Sequence, residues 1–233
     1  MSSFNGRVGP LAITTDGLVG CWDAASQHSY PGTGTIWKDI SGQGNDATAT
    51  GGPIFVNQYG GYFNFEGTDE RFDYDLYSGF DNAYVQSIDI SVEVWVRIKN
   101  NSNCCGGYWA FDAAKFEMAL SNNSPKTSAI YVVGSTPTWA EESGTTNLDY
   151  WYCYTMTHAA GTTYKLYIDG ELDSSHTISG NTQFTSGTGS FGTNNPASPS
   201  YLNGDIAVVR MYNRALTASE IKQNYDSTKV RFR

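Results

Sequence analysis

Thr35-Ile-Trp-Lys-Asp-Ile-Ser-Gly-Gln-Gly-Asn-Asp-Ala-Thr48, preceded by Ser29-Tyr-Pro-Gly-Thr-Gly34, decides how this chain is read. A tryptophan and an aspartate run into a turn dense in Gly, Asn and Asp. Short polar side chains there bond their own backbone and Gly supplies positive φ, so the stretch reads as a shaped loop and not as a catalytic motif. Outward from it the chain alternates. In Ser91-Val-Glu-Val-Trp-Val-Arg-Ile-Lys99, Val92, Val94, Val96 and Ile98 face one way and Ser91, Glu93, Trp95, Arg97 and Lys99 the other, which predicts a half-buried antiparallel strand. Tyr164-Lys-Leu-Tyr-Ile168 is followed by Asp169-Gly170 and Glu171-Leu-Asp-Ser-Ser-His176, the pattern of a hairpin closed by a type I′ turn.

Further strands are expected at Leu18 to Trp22, Tyr62 to Phe65, Tyr108 to Phe111, Ala129 to Val133, Tyr150 to His158, Ser190 to Gly192 and Asp205 to Tyr212, separated by turn clusters. One helix is predicted, opened by the capping box Thr217-Ala-Ser-Glu220 and continued by Ile221 and Tyr225 at helical spacing. Composition agrees: sixteen Tyr, eleven Phe, six Trp and twenty-five Gly in 233 residues favour strands and tight turns within one large all-β domain. The division expected is an irregular N-terminal arm at 1–16, a β-sandwich at 17–226 and a C-terminal tail at 227–233.

Charge and cysteine usage narrow the function classes. A formal net charge of −9 argues against non-specific nucleic-acid binding, which needs a basic surface to displace counterions. The opening Met1-Ser-Ser-Phe-Asn-Gly-Arg-Val-Gly-Pro10 lacks a basic head before an apolar core. No run of about twenty apolar residues occurs, so membrane insertion is not expected. Cys21 and Cys153 lie in strand-like segments and read as buried small hydrophobes, and Cys104 and Cys105 are neighbours whose mutual bridge would be strained. His28, His158 and His176 have no Cys or His partner at ligand spacing, so zinc is not expected.

The opening stretch resembles the signature of laminin-G-like domains in the concanavalin A-like lectin/glucanase superfamily. Gly17-Leu-Val-Gly-Cys-Trp-Asp-Ala24, Phe63-Asn-Phe-Glu-Gly-Thr-Asp69, Ile90-Ser-Val-Glu-Val-Trp-Val96, Trp151-Tyr-Cys-Tyr-Thr155, Lys165-Leu-Tyr-Ile-Asp-Gly-Glu171 and Leu202 to Ile221 continue the resemblance in order. It implies a jelly-roll β-sandwich of two antiparallel sheets with one short C-terminal helix. Asp23-Ala24, Ser29 to Trp37, Asn213-Arg-Ala-Leu216 and Gln223 to Lys229 look like the laminin-G-like structural proteins of tailed bacteriophages. That narrower resemblance implies a virion component assembled in the host cytoplasm, on capsid or tail.

Candidate residues fall into three groups. Tyr108, Trp109, Trp139 and Glu141 are expected in loops as an aromatic and acidic platform for glycans, while Trp22, Trp37, Trp95 and Trp151 are assigned to the core. Asp39, Asn45, Asp46 and, by the face it shares along the closing strand, Asp205 offer the hard oxygens that calcium takes; Asp39 and Asn45 bonding loop amides is the equal alternative. Phe4, Val8, Leu11 and Ile13 at one end, with Val230 and Phe232 at the other, are expected to dock on neighbouring virion subunits or on further copies of the chain. No Glu-x-Asp-x-Glu strand is present. The acidic run Glu66-Gly-Thr-Asp-Glu-Arg-Phe-Asp-Tyr-Asp75 reads as a turn, so no catalytic residue is assigned. The functions left open are a non-catalytic virion protein with lectin-like contact to cell-surface glycans, a free-standing carbohydrate-binding module, and a glucanase-like hydrolase.

Overall fold

The structure of the chain is a computed structural model that describes residues 12–76, 83–99, 106–112, 115–120, 127–132, 139–161, 163–177, 179, 183–184, 187–194 and 200–232. In chain order its strands are β1 (Leu18–Asp23), β2 (Ile36–Trp37), β3 (Ala47–Thr50), β4 (Ile54–Val56), β5 (Tyr62–Glu66), β6 (Arg71–Asp75), β7 (Ile90–Ile98) and β8 (Gly107–Phe111). There follow β9 (Phe116–Leu120), β10 (Ser128–Val132), β11 (Trp139–Glu141), β12 (Trp151–His158), β13 (Thr163–Ile168), β14 (Glu171–Thr177), β15 (Thr188–Phe191) and β16 (Asn203–Tyr212), then helix α1 (Ala218–Thr228). Two antiparallel sheets result. Sheet A runs β14-β13-β12-β7-β16-β5-β4, with β1 also on β16, and sheet B runs β11-β10-β9-β8-β15-β6-β3-β2.

Alternation explains how the sheets share a core. Val92, Val94, Val96 and Ile98 from sheet A meet Phe116, Met118, Ile130 and Phe191 from sheet B in one apolar cluster. Aromatic rings fill its other end, with Trp37 4.8 Å from Phe63, Trp22 4.9 Å from Phe191 and Phe63 4.6 Å from Phe72, mostly edge-on or tilted as ring quadrupoles prefer. The predicted hairpin forms, with Asp169 at φ 53° and Gly170 at φ 82° joining β13 to β14. The capping box forms as well: Glu220 N donates to Thr217 Oγ1, and Thr217 N donates back to the Glu220 carboxylate at 2.8 Å.

β7 is buried on both faces, not one. Its second face packs beneath α1 and the following turn: the Trp95 ring lies parallel to Tyr225 at 5.5 Å and stacks on Phe232 at 4.6 Å, and Glu93 pairs with Arg210 of β16. The same packing corrects the expectation of free arms. Phe232 also sits 4.6 Å from Trp151, Arg231 pairs with Asp23 at 2.8 Å, and Arg231 donates to the Tyr59 and Gly61 carbonyls. At the other end Thr14 N donates to Asn224 Oδ1 and Tyr212 OH donates to the Thr14 carbonyl, while Ile13 is half-buried. Residues 12–16 and 227–232 therefore belong to the domain, because ring burial and these bonds offset the cost of ordering them. Of the expected docking residues that are described, Ile13, Val230 and Phe232, only Val230 is well exposed, at 66%; Phe4, Val8 and Leu11 lie outside the described residues.

Candidate functional site

Helix and C-terminal turn cover the outer face of sheet A, and the outer face of sheet B carries the polar groups. Register aligns Thr48 of β3 with Asp73 of β6, Asp73 with Ser190 of β15, Ser190 with Ala110 of β8, Ala110 with Glu117 of β9, Glu117 with Tyr131 of β10, and Tyr131 with Trp139 of β11. Core residues flank the row on its strands, Phe72 and Tyr74 around Asp73 and Phe116 and Met118 around Glu117, so the pleat turns the row's side chains away from the core. Six interstrand steps make it roughly 29 Å long.

A cleft of about 480 Å³ occupies the β3 end of this face, lined by Asp46, Thr48, Arg71, Asp73, Asp75, Ala110, Thr188 and Ser190 among others. The Arg71-to-Asp75 run is thus a strand and not the turn its acidity and Gly67 predicted, and it projects Arg71, Asp73 and Asp75 onto one face. Asp73 is tied down: Arg71 Nε donates to both its oxygens at 3.0 Å, and Thr50 Oγ1 donates at 3.1 Å. One strand beyond Ala110 stands Glu117, 2% exposed, whose Oε2 is buried with no hydrogen-bond partner. Burial pushes its carboxyl up to about 8. Tyr131 beside it is half-buried, and burial first, then the Glu117 charge, raises its phenol.

The glycan platform expected at Tyr108 and Trp109 is corrected. Both are fully buried, Tyr108 stacked on Tyr154 at 5.8 Å and Trp109 edge-on to Phe116 at 5.5 Å. The register shift between Gly107 and Trp109 is the cause, since a bulge lets two successive side chains turn the same way. Glu141 is half-buried at the edge of the outer face, and its carbonyl accepts from Ser174 Oγ and from His176 Nε2 at 2.8 Å, which joins the edges of the two sheets. The backbone of Trp139 pairs with Tyr131, and its side chain lies outside the described residues.

The calcium expectation meets a different arrangement. The Asp39 carboxylate accepts from Cys21 N, Ser41 N, Ser41 Oγ and Asn45 N at 2.7 to 3.1 Å, four donors for about four lone-pair positions. Asn45 Nδ2 donates to the Val19 carbonyl, and Asp46 Oδ1 accepts from Asp39 N, so the loop is stitched to β1 through its own side chains. Asp205 is elsewhere. It sits five residues along β16 from Arg210, the partner of Cys21, and is neutralised by Arg97 and Lys99, each at 2.7 Å. Among the described residues no three His, Cys, Asp or Glu side chains converge on a metal-sized site. Asp39→Ala should cost about 2 kcal/mol in urea unfolding by stranding the Cys21 and Asn45 amides. Calcium or a chelator should leave the wild-type melting temperature where it is; a calcium-dependent rise would restore the metal.

Comparison with known proteins bears on the fold. No curated protein matches the chain. Trypanosoma rangeli sialidase superposes with a TM-score of 0.70 at 18% identity, covering 94% of this chain and 34% of the enzyme. The binding domain of botulinum neurotoxin DC, solved in complex with SialylT, superposes at 0.69 with 13% identity, covering 92% of this chain and 52% of that one. The chain thus spans a third to a half of these structures, and among the described residues no helix is long and apolar enough to cross a membrane. The Laminin_G_3 profile matches residues 72–222, well over half the length, and the chain belongs to the concanavalin A-like lectin/glucanases superfamily.

Proposed function

We propose that this chain is a non-catalytic structural protein of a tailed-phage particle, assembled in the host cytoplasm, that holds cell-surface saccharide on the outer face of sheet B. The observation that carries the adhesive part is the single register row from Thr48 to Tyr131, with the cleft at one end. It sets the accessible Thr48 hydroxyl and Asp73 carboxyl at the cleft and runs through Ser190 and Glu117, 1% and 2% exposed, to the half-buried Tyr131. The open end on a rigid sheet thus supplies groups that fix a polyhydroxyl chain by hydrogen bonds. The relatives in fold add support, since one is a sialidase and one a toxin binding domain solved with a sialylated ligand.

Holding is favoured over cleavage by the state of Asp73. A glycosidase of the two-carboxylate kind needs one protonated and one free carboxyl about 5 to 9.5 Å apart across the scissile bond. Asp73 has both oxygens on Arg71 Nε, and its neighbour on the face, Asp75, is exposed. Glu117, which burial keeps protonated, stands three interstrand steps, roughly 14 Å, along the row from Asp73, too far to act with it across one bond. The virion assignment rests on the phage-like segments Asp23-Ala24, Ser29 to Trp37, Asn213 to Leu216 and Gln223 to Lys229. Mass spectrometry of purified particles should find this chain in stoichiometric amount, and incubation with polysaccharides should release no shorter products; a chain missing from particles, or sugar released by it, overturns the respective half.

A further inference from the structure

We infer that the sheet B site selects an uncharged saccharide against its sialylated form, and that the Glu117 side chain is the hydrogen-bonding group at its Ala110 end. This rests on the adhesive reading above and names the ligand class. The first observation is charge. Among the described residues the cleft is lined by Asp46, Asp73 and Asp75 against one cation, Arg71, whose Nε donates to Asp73. A sialic acid carboxylate seated there would face three carboxylates against a single guanidinium, so the lining repels it on balance. A neutral sugar meets acceptors for its hydroxyls instead.

The second observation is independent of the first. Glu117 Oε2 is buried without a partner, on the same register row and one strand from the cleft-lining Ala110. An unmet buried polar atom costs stability, so the chain carries a penalty there that a ligand hydroxyl removes. With its carboxyl pushed up to about 8 by burial, Glu117 is protonated at neutral pH and offers one O–H donor and one carbonyl acceptor. A sugar hydroxyl complements both. Among the described residues the phenols of Tyr131 on β10 and Tyr108 on β8 feel the Glu117 charge, and neither is a cation that would ionise it.

The test is an array of neutral oligosaccharides, each printed beside its sialylated form, probed at neutral pH with wild type, Glu117→Gln, Glu117→Leu and the cleft-filling Thr48→Trp. Wild type should bind neutral members at least about ten-fold better than their sialylated partners. Glu117→Gln, which keeps a donor and an acceptor, should stay within about three-fold. Glu117→Leu should lose about ten-fold or more while melting no lower than wild type, since it replaces an unmet polar group by an apolar one of similar size. Preference for the sialylated forms, undiminished binding by Glu117→Leu, or a Glu117→Leu protein that does not fold would each overturn the inference. If Thr48→Trp abolishes binding while Glu117→Leu does not, the cleft survives and only this inference falls. If no member binds, the adhesive reading falls with it.

Discussion

As pH rises from about 4.5 to about 8, wild-type protein should lose stability relative to Glu117→Gln, by up to about 5 kcal/mol across that interval. The sign follows from where the proton sits. Burial raises the folded-state value from 4.5 to about 8, so between these limits the unfolded chain is ionised at residue 117 while the folded chain keeps its proton. Each pH unit then favours the unfolded state. Below the lower limit both states are protonated and the contribution is complete; above the upper limit both are ionised and the loss stops growing. Glu142 and Asp169 are also raised by burial, but they titrate alike in both proteins and drop out of the difference. Urea unfolding of the two proteins at several pH values between these limits measures it, and parallel stability curves would show that Glu117 is not held protonated by the fold.

The second large effect belongs to the polar layer beneath α1. Arg210 and Glu93 are 3% and 1% exposed and pair with each other, while Asn224 donates to Glu93 Oε2 at 3.0 Å and Arg210 Nη2 donates to Thr228 Oγ1 at 3.0 Å. Removing one charge leaves the other buried alone, so Arg210→Met should cost about 3 to 5 kcal/mol in urea unfolding. The double variant Glu93→Leu with Arg210→Met removes both charges and should recover more than half of that, short of wild type because Asn224 and Thr228 lose acceptor and donor. Costs that simply add would contradict the coupling. The layer matters beyond stability, since Asn224 also receives Thr14 N and so ties the N-terminal segment to the helix.

How much of this was legible in the sequence depended on whether the signal was local. The β13–β14 hairpin followed from Asp169-Gly170 and the α1 cap from Thr217-Ala-Ser-Glu220, because both patterns are complete within a few residues. β6 was not legible: Arg71-Phe-Asp-Tyr-Asp75 alternates, but five residues beside Gly67 and dense in charge read equally as a turn. The Tyr108 and Trp109 rings were expected in a loop because they follow the Asn- and Gly-rich stretch 100–107, and nothing in Gly106-Gly-Tyr-Trp109 announces the strand bulge that turns both inward. Trp95 was rightly assigned to the core, but the rings that cover it on the second face of β7, Tyr225 and Phe232, lie more than a hundred residues away and no local pattern named them. The candidate site was the least legible part. Thr48, Asp73, Ser190, Ala110, Glu117 and Tyr131 form a row only through the pairing of six strands, and no window of sequence contains two consecutive members of it within one strand.

The claim on which the account turns is that this face holds sugar. Thr48 is exposed at the cleft wall and sits in a strand, where tryptophan is well tolerated, so Thr48→Trp fills the cleft without disturbing the core. Glycan-array binding by wild type and Thr48→Trp at equal concentration is the most direct measurement. The account predicts clear wild-type signal on neutral glycans that falls at least about ten-fold in the variant; absence of wild-type signal, or signal that the added ring leaves unchanged, would contradict it.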